Sequence, residues 1–218
     1  MKRYLIRILT MTAGLFSFAT GVVLTIRANI GYAPWDVFHV GLANTIGLSI
    51  GLTSISVGLV LVLIVTLCGE KLGLGTIINM FAVGLFIDLI FPRIPLAPNP
   101  LIGTAMLLLG MLLIALGSYH AIKSALGIGP RDNLMVLLAR KTKLPVGLCR
   151  GMIELLATGI GWFLGGMIGF GTVLFVILIG LYIQLVFRAF KFDPTAVKHE
   201  TLRDTCTAIK LLLDQRRQ

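Results

Sequence analysis

Four of the nine acidic residues in this 218-residue chain stand where a carboxylate needs a reason. Asp36 and Asp132 each follow a proline by two positions, in Gly31-Tyr-Ala-Pro-Trp-Asp and Gly127-Ile-Gly-Pro-Arg-Asp, while Asp88 and Glu154 lie inside apolar runs. Proline suits the first position of a helix, where its missing N–H costs nothing. The aspartate then takes the third position, facing unpaired backbone donors and the positive end of the helix dipole. That alone explains both. A functional reading stands beside it: the two carboxylates line a central cavity and bind a solute or a coupling cation. Arg27 and Lys123, nine residues upstream of each, either pair with these aspartates or snorkel from the end of a span.

The solute class follows from the same positions. A bare helix N-terminus attracts anions, and an aspartate there offsets the attraction. A site lined by these helices therefore favours an amine-bearing, zwitterionic or cationic solute. Arg131, which holds the place of Trp35 in the second segment, pulls the other way. Trp35 either contacts solute or anchors at a membrane interface. His39 shares a helical face with Asp36, as hydrogen-bonded structure or as a ligand. The candidate solute-binding set is Arg27, Trp35, Asp36, His39, Lys123, Arg131 and Asp132.

Acids inside a membrane are candidates for proton or ion coupling, which nominates Asp88 and Glu154. Arg150 precedes Glu154 by four residues, an ion-pair spacing that explains it structurally. Asp88 has no such local partner, and is the better candidate for titration. Hydrolytic chemistry finds no support: there is no HExxH, GxSxG, phosphate-binding or dinucleotide fingerprint, and no acidic cluster for a metal. The expectation is no enzyme, no cofactor and no metal. Cys68, Cys149 and Cys206 are far apart and suggest neither a disulfide framework nor a zinc site.

The elements that position these residues must lie in a bilayer. The chain is 57% hydrophobic and 13% charged, too apolar to cover a water-facing surface. Its formal charge of +10 punctuates apolar runs instead of clustering with aromatics, so it speaks for cytoplasmic loops and against nucleic acid. Apolar runs at 5–26, 51–68, 73–91, 101–122, 146–165 and 169–190 have the length of spanning helices. The first follows Met1-Lys-Arg-Tyr without a small-residue cleavage site and reads as a retained span. The stretches 33–47 and 130–142 would reach only about 20 Å at about 1.5 Å per residue, and read as re-entrant or interfacial helices.

Six spans with both termini cytoplasmic put Lys2, Arg3, Arg7, Lys71, Lys123, Arg140, Lys141, Lys143, Arg188 and Lys191 inside, leaving Arg27 and Arg93 outside. An eight-span layout satisfies charge almost as well; helix length favours six. Beyond 191, Asp193-Pro194 suits a helix start, and Leu202, Cys206, Ile209 and Leu213 form one apolar stripe. This tail is expected to be a basic amphipathic cytoplasmic helix that rests on the anionic leaflet or pairs with a second copy in a homodimer, unless it is merely solvated.

The chain also repeats. At an offset of 96, Gly14, Gly21, Gly31, Pro34, Asp36 and Gly51 meet Gly110, Gly117, Gly127, Pro130, Asp132 and Gly147; Gly69, Gly73, Gly75, Thr76 and Gly84 meet Gly165, Gly169, Gly171, Thr172 and Gly180. Residues 1–96 and 97–191 are thus two repeats, each of three spans and one short helix, followed by the tail 192–218. An odd number of spans inverts the second repeat, an architecture common in transporters with midplane sites at the repeat interface.

The segment Arg27-Ala-Asn-Ile-Gly-Tyr-Ala-Pro-Trp-Asp-Val-Phe, with Gly47-Leu-Ser-Ile-Gly and the later Leu126-Gly-Ile-Gly-Pro-Arg-Asp, resembles the bacterial YczE/YyaS/YitT group of integral membrane proteins over about residues 1–190. The resemblance implies a bacterial inner-membrane location and a multi-span fold, and brings no shared substrate or catalytic set. The functional expectation is a small secondary transporter for a small polar solute. The alternative is a membrane factor that supports other membrane proteins or a biosynthetic complex.

Overall fold

The computed structural model describes residues 2–205 and Thr207. Among these residues the protein is all-helical, without strands: α1 (Lys2–Arg27), α2 (Pro34–Ile46), α3 (Ile50–Leu67), α4 (Leu74–Ile90), α5 (Pro100–Lys123), α6 (Pro130–Thr142), α7 (Val146–Phe163) and α8 (Phe170–Ala189). Six of them, all except α2 and α6, are long and apolar enough to cross a bilayer. This is a membrane protein. The ends of the helices carry their own signals. Ser49 accepts the Leu52 N–H at 3.1 Å to start α3, and Asn99 accepts that of Ile102 at 2.9 Å to start α5, with Pro100 first in the helix. Gly47, left-handed at φ 69°, closes α2.

At the centre α1 and α5 run antiparallel with their backbones in contact. A Cβ on Gly21 would lie 2.5 Å from the Gly110 carbonyl oxygen, and one on Gly117 would lie 2.6 Å from that of Gly14. Only glycine permits this approach, the usual way helices associate in lipid. Between the two glycine pairs the Ser17 hydroxyl donates to the Leu113 carbonyl at 3.0 Å. α4 flanks α1, and α8 flanks α5.

Contacts around this centre recur at positions 96 apart. The Gly171 N–H donates to the Ile30 carbonyl at 2.7 Å, and the Gly75 N–H to the Leu126 carbonyl at 2.8 Å. Gly31 and Gly127, at φ +113° and +136°, press respectively against Gly169 with Thr172 and against Gly73 with Thr76. We call the end of the bundle where α1 begins the tail end, and the opposite one the far end. α1, α4 and α7 run toward the far end, and α3, α5 and α8 run back.

The tail departs from expectation. Asp193 accepts the Thr195 N–H at 2.9 Å, but Pro194–Ala196 forms only a 3-10 turn. Residues 197–201 make an extended strap, because the Glu200 N–H donates to the Ala125 carbonyl at 2.9 Å and the Leu202 N–H to that of Leu72 at 2.8 Å. Helix resumes only at Leu202. There Thr201 and Asp204 cap reciprocally: the Asp204 carboxylate accepts the Thr201 N–H at 2.9 Å, and the Thr201 hydroxyl accepts the Asp204 N–H at 3.3 Å. The Thr201 hydroxyl, which donates to the Asp204 carboxylate at 2.7 Å, and then the Thr201 N–H hold that carboxyl below its usual range. The expected stripe members Cys206, Ile209 and Leu213 lie outside the described residues. Glu200 itself binds Arg7 at 2.5 Å and accepts the Tyr4 hydroxyl at 3.1 Å.

Candidate functional site

α2 and α6 bring their N-termini together. The Thr158 hydroxyl, about two-thirds of the way along α7, approaches the Pro34 carbonyl at 3.4 Å, and Gly41 packs on the Gly161 carbonyl, so α2 climbs beside α7 toward the far end. α6 leads instead to the tail end, where Arg140 meets Glu70 at 2.7 Å and the Lys141 ammonium meets the Cys68 sulfur at 3.3 Å. Where the two helices begin, the Arg131 guanidinium lies 5.8 Å over the Trp35 ring. Trp35 is half-buried beside Phe38 and His39.

Asp36 sits just behind this junction with its side chain 10% exposed and the His39 Nδ1 at 3.9 Å, as their shared helical face requires. The N-cap of α2 is Ala33 and that of α6 is Gly129, neither of which caps through a side chain. The hydrogen bonds among the described residues include none from a backbone N–H to the carboxylate of Asp36 or Asp132, so what each supplies to its helix is charge at the dipole end. Asp132 is exposed and stands near His199 of the strap. Burial pushes the His199 imidazole below its ordinary pKa, and Asp132 partly opposes that shift. The His199 Nδ1 is buried without a partner among the described residues.

Of the two readings of Arg27 and Lys123, the pairing with Asp36 and Asp132 does not form among the described residues. The Arg27 Nη2 donates to the Phe91 carbonyl at 2.9 Å, and its guanidinium lies 3.9 Å over the Phe91 ring. Lys123 donates to the Tyr119 hydroxyl at 2.9 Å. Free carbonyls at the end of α4 offer Arg27 a nearer partner than a carboxylate beyond a glycine turn.

Asp88, which has no partner within its own helix, has two across the bundle. Its carboxylate accepts the Ser49 hydroxyl at 2.5 Å and the Gly51 N–H at 2.8 Å, tying the end of α4 to the start of α3. Local spacing missed this; Ser49, a plain N-cap before an apolar run, was the available signal. Glu154 pairs with Arg150 at 3.0 Å as its spacing predicts. That pair lines a cleft of about 210 Å³ between α7 and α8, with Pro34, Phe175, Val176 and Gly180 around it. The cleft combines a cation, an anion and an apolar wall beside the start of α2. It can hold a small solute with both charges, or an amine at Glu154.

Residues 5–188 match a family of unknown function, DUF6198. The chain belongs to this family. It is similar to the uncharacterized membrane protein YczE of Bacillus subtilis (strain 168), 37% identical over 174 residues, which are 79% of this chain and 81% of that one. An uncharacterized protein of Haemophilus influenzae is 31% identical over 180 residues, 82% of this chain and 81% of its own. The uncharacterized protein YyaS of Bacillus subtilis (strain 168) is 27% identical over 193 residues, 85% and 92% of the two chains. The likeness to YczE and YyaS read from the Gly-x-x-Pro-x-Asp segments is thus borne out. No solved structure matches the chain.

Proposed function

We propose that this protein is a small secondary transporter, not an enzyme, built from two inverted repeats, and that it carries an amine-bearing or zwitterionic solute. The observation that carries the reading is the meeting of two short helices by their N-termini, Trp35 against Arg131, beside a cleft that holds a charged pair. Helices that begin inside the bundle and return to opposite ends are a recurrent way to build a midplane site. Contacts repeated at positions 96 apart, such as Gly171 with Ile30 and Gly75 with Leu126, support an inverted relation between residues 1–96 and 97–191. Basic residues at the tail end, Lys71, Arg140, Lys141, Lys143 and Lys191, favour a cytoplasmic location for both termini in a bacterial inner membrane.

Solute flux into liposomes tests the reading, with amino acids and small amines screened against protein-free vesicles. Flux should be present in the native protein and lost in Asp36→Asn and Glu154→Gln, both still folded. No flux for any solute, together with a protein that co-purifies stoichiometrically, would favour a membrane support factor instead. Reporters fused at Gly69 and Gly165 should read opposite sides of the membrane; the same side for both would end the inverted reading.

A further inference from the structure

The two halves match around α1 and α5 but differ at one place, the seam between the last two long helices of each. In the first half the seam is sealed along its length. A Cβ on Gly51 would strike the Gly84 carbonyl oxygen, Gly58 is covered by the Met80 side chain at 2.8 Å from where its Cβ would be, and Asp88 ties the helix ends through Ser49 and Gly51. In the second half α7 and α8 stand apart. Gly147 and Gly180, the counterparts of Gly51 and Gly84, are exposed, and nothing lies within 4 Å of where a Cβ would sit on either. The cleft with Arg150 and Glu154 occupies the space.

Four helical glycines, Gly147, Gly151, Gly159 and Gly180, have open space where a Cβ would sit, and of these only Gly147 and Gly180 are counterparts of glycines that close a seam. Glycine weakens a helix interior relative to alanine, which applies to Gly180 in the middle of α8, and in the present conformation neither it nor Gly147 in the first turn of α7 packs against anything. Both are needed if α7 and α8 meet as α3 and α4 do now, backbone on backbone. The open seam lies toward the tail end and the sealed one toward the far end, because α7 begins and α8 ends at the tail end.

We infer that the protein has a second conformation in which the seams exchange states: Gly147 closes on Gly180, while Gly51 parts from Gly84 and the Asp88 latch releases. The site at the start of α2 would then open to the far end instead of the tail end. Glu154 occupies the place of Gly58, so closure buries its carboxylate, which is costly unless a counter-charge stays with it. Arg150 and an amine on the solute supply one. The inference rests on the carrier reading for its purpose, but its geometry is tested without solute.

Disulfide trapping tests it in full-length protein in native membranes, with Cys68, Cys149 and Cys206 replaced. The pair Pro145→Cys with Gln184→Cys occupies the counterparts of Ser49 and Asp88. On oxidation it should cross-link within one chain, and Asp88→Asn should speed the reaction by about tenfold, the effect of weakening one charge-assisted hydrogen bond. A separate variant, Val176→Cys, lines the open cleft and stands where Met80 fits in the sealed seam, so closure tolerates it. A water-soluble maleimide should label it, and Asp88→Asn should slow the labelling. No cross-link with unchanged labelling overturns the inference, as does a cross-link formed only between two copies. Seam exchange without flux of any solute would keep the second conformation and remove the carrier; flux without exchange would do the reverse.

Discussion

The seam of α3 with α4 and the seam of α7 with α8 are built on the same glycines, yet only the first is closed. The difference lies in two pairs of side-chain exchanges. Ser49 and Asp88 become Pro145 and Gln184, which removes a hydroxyl donor and the carboxylate that accepted it. Gly58 and Met80 become Glu154 and Val176, which replaces an apolar plug with a charge. Glycine permits close helix packing but does not enforce it. A latch and a plug decide whether the permission is used.

The comparison breaks most easily at the glycines. Gly51→Leu should cost about 3 kcal/mol or more, because its side chain must displace the backbone of α4. Gly180→Ala, in the interior of α8, should instead stabilise the present conformation by up to about 1 kcal/mol through helix propensity. Thermal unfolding in detergent measures both, and similar values for the two glycines would erase the contrast. Next comes the latch. Asp88→Asn should lose about 1–3 kcal/mol, since one of two donors at the start of α3 loses its acceptor. Gln184→Ala should stay within about 0.5 kcal/mol.

The strap gives effects of modest size. Glu200→Gln leaves a neutral partner for a partly exposed Arg7 and should cost about 0.5–1 kcal/mol. The His199 pKa is lowered on folding, chiefly by burial. Its imidazole must stay neutral to remain docked, so strap docking is at full strength above the unfolded value of about 6.5 and weakens as pH falls below it. Asp132→Asn should steepen that loss, and His199→Gln should flatten it. Limited proteolysis of the strap between pH 7.5 and 5 follows both.

Much of the fold could be read along the chain because each element is bounded locally. Pro34, Pro130, Asn99 and Ser49 mark helix starts, and apolar length alone separates the six long helices from the two short ones. The site was legible wherever partners lie within one helical turn, as for Arg150 with Glu154 and His39 with Asp36. It was not legible where partners come from another helix. Nothing near Asp88 announces Ser49 across 39 positions, and nothing near Arg27 announces the Phe91 carbonyl across 64. The tail misled for the same reason: Asp193-Pro194 is a sound local start, overridden by backbone bonds from the strap to Ala125 and Leu72.

That strap ties the molecule together in time as well as in space. Arg7 lies near the start of α1, and its carboxylate partner Glu200 is 193 positions later. At translation rates of about 5–20 residues per second the guanidinium waits roughly 10–40 seconds for that partner. During that interval Tyr4 and Arg7 lack their carboxylate, and the edges of Leu72 and Ala125 lack the donors that cover them. A chain that stops short of Glu200 keeps those groups open, and so carries, at the start of α1, a visible mark that its strap is missing.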